Sequence, residues 1–217
     1  MMQQQALAGG RSKWRKLAVS MTIGAVAGFA GAYTMMSAID AGALGTLGGS
    51  EIAALGVALV YLLMGIAVAF GAAAPGAGAT FLNVEDADEL REQRASLVPS
   101  ALGSLALAAG LAVAALSGSE GILSPRAALI AFAVSMVIAV WLSMKTLRSA
   151  DELMRGLMRD GAAASFYLTF AVVGGWALLA HLGLVAMPAM LDIVTLFYAL
   201  TLICCFWVIG RRGMLVR

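Results

Sequence analysis

Apolar and charged positions fall along this chain in long blocks. Runs without Asp, Glu, Lys or Arg cover residues 17–39, 52–84, 95–119, 127–144, 161–191 and 193–210. A charged side chain at the centre of a membrane helix costs about 2.5–3.5 kcal/mol on insertion scales, and roughly 20 apolar residues cross a bilayer. The pattern therefore predicts six spans, near 17–38, 52–74, 97–117, 127–146, 163–183 and 189–210. The second is trimmed at Pro75 within the glycine-rich stretch 71–78, which reads as a flexible helix exit, and the fifth ends near Gly183, before Pro188. The fold class is all-α integral membrane: a single transmembrane domain, a six-helix bundle over residues 1–217. Juxtamembrane segments lie at 80–95 and 145–160.

Composition agrees: 62% of the 217 residues are apolar and 12% charged, against about 45–50% and 25% in soluble domains. Six spans leave too little chain for a separate soluble domain.

The basic residues orient the bundle. Arg11, Lys13, Arg15 and Lys16 precede the first span, and Arg91 and Arg94 lie between the second and third. Lys145, Arg148, Arg155 and Arg159 lie between the fourth and fifth, and Arg211, Arg212 and Arg217 follow the sixth. Only Arg126 falls on the other side, with Asp40, Glu51, Glu120 and Asp192. The positive-inside rule then predicts both termini in the cytoplasm. Trp14, Trp141, Tyr167 and Trp207 sit at the same ends and Tyr33 at the outer end of span one, as interfacial aromatics do, while Tyr61, Trp176 and Tyr198 lie deeper, as packing residues. The Ala/Gly-rich composition suits a bacterial inner membrane. Ala30-Gly31-Ala32 resembles a signal-peptide cleavage site, but the apolar run continues through Ala38, so an uncleaved first helix is expected.

Ala87-Asp88-Glu89-Leu90 recurs as Ala150-Asp151-Glu152-Leu153. Each copy follows an outside-to-inside span and precedes an inside-to-outside one, which suggests a parallel repeat of two helical hairpins, spans two–three and four–five. The spacings Asp88–Arg91 and Asp151–Arg155 would pair charges along a helix face.

Small residues recur four apart: Gly24 and Gly28 in span one, Ala106, Gly110 and Ala114 in span three, and Ala127, Ala131, Ser135, Ala139 and Ser143 in span four. In lipid no hydrophobic force drives helices together, so close backbone approach must supply dispersion contacts. These stripes are expected to pack the bundle or dock a partner, with Leu142 on a lipid-facing side of span four. Gly24 and Gly28 make the sharpest docking face, for a protein partner or a second copy.

Chemistry is sparse. The spans carry no ionisable group near mid-membrane, where proton relays and ion sites place them. His181 and Asp192 are each five to six residues from the turn near Val185–Met187, so an antiparallel hairpin brings them to similar depth. Were they to meet, Asp192 would hold a cation or the imidazolium, His181 would titrate, and Thr195, one turn inward, would add a hydroxyl. Tyr198, Thr201 and Cys205 share one face of span six, either a solute path or an interhelical seam. Cys204 and Cys205, adjacent in an apolar run, offer neither a disulfide framework nor a metal motif. No phosphate-binding Gly-Lys-Ser/Thr loop, nucleophile elbow or basic nucleic-acid stripe occurs.

No catalytic residue, metal or cofactor is expected, and no nucleic acid among the partners. The leading expectation is a non-enzymatic accessory or scaffold subunit of a membrane complex; the alternative is a small-solute transporter or channel subunit. In span number and length the chain is similar in outline to the substrate-binding subunits of energy-coupling-factor vitamin transporters, a resemblance that would imply a vitamin pocket and partner ATPases.

Overall fold

The computed structural model describes residues 2–82, 84, 86–117 and 121–214, and of residues 2–17 the backbone alone. The side chains of Arg11, Lys13, Trp14, Arg15 and Lys16, and residues Glu120 and Arg217, lie outside that description. Among the described residues the protein is all helical: α1 (Met2–Asp40), α2 (Gly49–Ala73), α3 (Pro75–Phe81), α4 (Ala87–Glu92), α5 (Arg94–Ala115), α6 (Pro125–Ser149), α7 (Glu152–His181) and α8 (Met190–Arg211). Six of these are long and apolar enough to cross a membrane: Ala18–Asp40 within α1, then α2, α5, α6, α7 and α8.

Helix ends follow from local sequence. Ser124 caps α6 ahead of Pro125, its hydroxyl accepting from Ala127 N, and Asp151 caps α7 by accepting from Met154 N at 2.7 Å. The Asp86 carboxylate accepts from Asp88 N and Glu89 N, both at 2.9 Å, to open α4. Three helices stop at a glycine in the left-handed region. Gly42, Gly183 and Gly213 have φ near +70°, and the paired bonds Gly183 N to Ala180 O and Leu184 N to Leu179 O close α7 in a Schellman turn. The corresponding bonds close α1 at Gly42 and Ala43, and α8 at Gly213 and Met214.

The stretch 71–78 is a packed element. The chain reverses at Ala74 and Pro75, so α3 folds back on the end of α2 with Gly78 against Gly71. A methyl on Gly78 would stand 2.7 Å from Gly71 Cα and 2.9 Å from its carbonyl oxygen. Phe70 and Phe81 stack across this reversal, and Ser20 Oγ donates to Phe81 O at 2.6 Å, tying in α1. The sequence expectation of a flexible helix exit is thus replaced by a close glycine–glycine crossing.

The most extensive interfaces join α5 to α2 and to α6, making a three-helix slab with α5 in the middle. Both crossings use small residues. Gly65 of α2 faces the Ala101 carbonyl and Leu105 of α5, and Gly110 of α5 lies against Ser135, Met136 and Phe132 of α6. α7 packs on α8, and α8 reaches the slab mainly through α2. α1 leans on α2 and α3. The central core gathers Ala54, Leu55, Ala58 and Tyr61 of α2, Ala108, Leu111 and Ala115 of α5, and Tyr198 of α8.

Leu142 is one correction to the sequence reading. It is 5% exposed, against Gly103 of α5, because the contact face of α6 runs through Ala128, Ala139, Leu142 and Thr146. A stripe counted strictly every fourth residue drifts off this face, since a helix turns once in 3.6 residues. Its ends show the drift: Ala127 and Ser143 are exposed, while Ala131 and Ser135 are half-buried.

The two Ala-Asp-Glu-Leu copies adopt different local structures. In the first all four residues lie in the six-residue α4, and Arg91 pairs with Asp88. In the second, Ala150 and Asp151 precede α7, Asp151 is its cap, and Arg155 donates to Ala150 O at 2.9 Å rather than pairing with Asp151. The helices after these copies also pack differently: α5 lies against α2, whereas α6 and α7 share no extensive interface.

Candidate functional site

His181 is the last residue of α7 and is exposed. Asp192 lies in the first turn of α8, where its carboxylate accepts from Ala189 N at 3.0 Å. Asp192 is thus engaged at its own helix start, and the two residues form neither a hydrogen bond nor an ion pair with each other; among the described residues the ion pairs are Arg91–Asp88 and Arg212–Asp160. Thr195 is buried one turn along α8, its hydroxyl donating to Leu191 O at 2.9 Å. That hydroxyl is spent on its own helix. Between α7 and α8, Trp176 Nε1 donates to Ala186 O at 3.0 Å, fixing the turn that carries both residues.

The deepest polar contact lies elsewhere. Tyr61 Oη donates to the Tyr198 carbonyl at 3.0 Å, their rings meet edge to face at 5.5 Å, and Tyr198 Oη lies 3.7 Å from Met136 Sδ. One phenol thus links α2 to α8, and the other links α8 to α6. Depth alone marked these tyrosines in the sequence; their mutual contact depends on which helices become neighbours. Thr201 and Cys205, on the same side of α8, have different surroundings. Thr201 borders an open groove with Ser165, Thr169 and Phe197, and Cys205 borders a separate cleft.

That cleft, about 250 Å³, was not anticipated from sequence. One wall comes from Val84 and from Glu89 and Gln93 around α4; the other comes from Met154, Leu157, Met158 and Gly161 of α7 with Cys205 and Val208 of α8. It lies at the end of the bundle where Arg211 stacks over Trp207 at 5.5 Å and Lys145 over Trp141 at 5.7 Å. The apolar spacing Met154, Leu157, Met158, Gly161 is a helix face legible in the sequence; the facing wall depends on the α3 reversal. Arg212 pairs with Asp160 beside it, joining the ends of α8 and α7. A smaller polar hollow adjoins it, lined by Glu92, Ser96, Ser149 and Asp151, and shares Gln93 and Met154 with the cleft.

The small-residue positions divide by use. Gly24 and Gly28 face open space, with nothing near the point where a side chain would begin, and no residue of Ala18–Asp40 is buried. Gly31, one turn on, is the point of approach to α2, against Leu59. On α6, Ser135 and Ala139 meet α5. Among the described residues no group of three His, Cys, Asp or Glu side chains is arranged to hold a metal ion.

No protein family, curated protein or solved structure matches this chain.

Proposed function

We propose that the protein is a non-enzymatic accessory or scaffold subunit of a membrane complex, held in a bacterial inner membrane with both termini cytoplasmic, and that α1 is its docking helix. The observation that carries the reading is the contrast between helices. Gly65 of α2 and Gly103 and Gly110 of α5 are met by neighbours within the chain, whereas Gly24 and Gly28 of α1 meet nothing. A GxxxG face lets a second helix approach its backbone closely, and such faces are a recurrent mode of helix association in lipid. The local bonds of Asp192 and Thr195 support a reading without catalysis. The alternative, a small-solute transporter or channel subunit, needs a passage among spans two to five. Between spans two and three, Ala54, Ala58, Tyr61 and Leu111 pack together with Tyr198 of span six, which favours the scaffold.

The test is gentle extraction from native membrane with mass spectrometry of co-migrating proteins, for the wild type and for Gly24→Leu/Gly28→Leu. The expected result is a stoichiometric protein partner, or a second copy, lost from the variant while helix content and thermal stability are kept. Strictly monomeric wild type in mild detergent and in native lipid overturns the reading. A reporter fused after Arg217 is expected to report the cytoplasmic side.

A further inference from the structure

The helices form two bodies of unequal cohesion. α2, α5 and α6 share the two most extensive interfaces in the molecule, with glycines at both crossings. α7 and α8 form a hairpin closed at one end by the Gly183 turn and the Trp176–Ala186 bond, and at the other by Arg212–Asp160. Between the bodies the main contact is α8 on α2, centred on the Tyr61–Tyr198 pair. The covalent link between α6 and α7 is Ala150 and Asp151, both in extended conformation, a two-residue joint between long helices. The cleft opens along this seam: Val84, Glu89 and Gln93 stand on the slab's side, and every other lining residue belongs to the hairpin or its end. The polar hollow continues the seam to the joint, with Glu92, Gln93, Ala95 and Ser96 facing Ser149, Ala150, Asp151 and Met154.

We propose that the α7–α8 hairpin rocks as one body against the α2–α5–α6 slab, pivoting on the Tyr61–Tyr198 contact and the Ala150–Asp151 joint, so that the cleft between α4 and α7 widens and narrows. Rigid-body motion between packed units with a joint at an element boundary is a recurrent form of switching, because well-packed units move whole rather than deform. The unequal interfaces decide where the chain yields. The slab has interlocked glycine crossings, whereas the seam is a smaller interface, with Tyr198 against Tyr61 and Met136 and with Leu191, Val194 and Leu202 beside the core, and it opens into the cleft at one end. Narrowing the cleft brings Met154, Leu157 and Met158 toward Val84, and widening it admits lipid or water.

The test is pulsed electron–electron distance measurement on full-length protein in lipid nanodiscs, with spin labels at Glu92→Cys and at Arg159→Cys, an exposed position on α7 well away from the joint, in a Cys204→Ala/Cys205→Ala background. Control pairs are Leu102→Cys with Val137→Cys inside the slab, and Phe166→Cys with Phe206→Cys inside the hairpin. The expected result is two distance populations, or one broad one, across the cleft and a single narrow distance for each control. Tyr61→Phe, which keeps the ring but removes the hydroxyl, is expected to shift the balance across the cleft by about threefold, the size of an average interhelical hydrogen bond in a membrane protein. A cleft distance as narrow as the controls overturns the proposal, as does a hairpin control that broadens with it. Should the cysteine-free background not fold, methyl relaxation dispersion on the unmodified protein reads the same motion. Exchange is expected at Met154, Met158 and Met214, which line the cleft, and not at Met64 of α2; equal behaviour of all four overturns it.

Discussion

Leu142→Ala tests whether α6 packs as described. Leu142 is 5% exposed, with Cβ 3.7 Å from the point where a side chain on Gly103 would begin. In a water-soluble core, Leu→Ala costs about 2.7–5 kcal/mol, comprising a transfer term and a cavity term. Three carbons correspond to about 2.4 kcal/mol of transfer from water. In a bilayer the separated helix returns the leucine to hydrocarbon, so that term vanishes and about 0.3–2.6 kcal/mol of lost packing remains. Val140, 62% exposed on the same helix, meets lipid in either state, so Val140→Ala is expected to cost under ~0.5 kcal/mol. Reversible unfolding in bicelles, followed by steric trapping, compares the two variants directly. Equal effects would refute the assigned face of α6, and a larger loss at Val140 would reverse it.

Other expectations follow from the same contacts. Gly78→Ala places a methyl against Gly71 backbone, which cannot yield as a flexible side chain does, so a loss of ~1–3 kcal/mol or more and altered protease cutting near residues 74–86 are expected. Gly76→Ala, in open space on the same helix, is expected to be near neutral by the same assays. Ala139→Leu overfills the α5–α6 contact and is expected to cost ~1–3 kcal/mol in bicelle unfolding, more than Ala127→Leu on the exposed end of the stripe. Asp192→Ala removes the acceptor for Ala189 N; by analogy with lost helix caps, ~0.5–2 kcal/mol of stability and faster amide exchange at residues 189–192 are expected. Unchanged exchange there would show that the carboxylate does not hold the turn.

The spans were legible because insertion energetics act residue by residue: one charge ends a run wherever it falls. The same holds for the stop at Gly183, which acts within a turn of its own position, whereas Asp151, read from its spacing as a partner of Arg155, caps α7 instead. Which helix faces which neighbour was not legible. Gly24–Gly28 and Gly65 are equally small, yet Gly65 is filled by α5 and the α1 pair by nothing, and spacing within one helix has no term for the helix opposite. Leu142 shows the cost of a period of four where the helix turns in 3.6. His181 and Asp192 were placed near a shared depth by counting along a hairpin, but depth does not set azimuth, and Asp192 bonds its own helix start.

The uneven grouping of helices has a physical origin in the side chains at each crossing. α2 presents Gly65 to α5, and α5 presents Gly103 and Gly110 to Leu142 and Ser135 of α6, so the helices approach closely and dispersion accumulates along both crossings. α7 has glycines too, but Gly156, Gly174 and Gly175 meet no neighbour, and its exposed face carries Phe166, Tyr167 and Phe170. Bulky aromatics directed away from the bundle are solvated by lipid as readily as by protein, so nothing draws α7 toward α6 once its contact with α8 is made. A helix joined to the slab by two extended residues and to its partner by a glycine turn then keeps a degree of freedom that α5 has lost. That predicts a specific reversal. Glu152→Pro, at the first position of α7 where proline is tolerated and follows the extended Asp151, stiffens the joint while keeping the Asp151 cap on Met154 N, and should narrow the distance distribution across the cleft and leave the slab pair unchanged. An unchanged distribution in that variant would locate the freedom outside the joint.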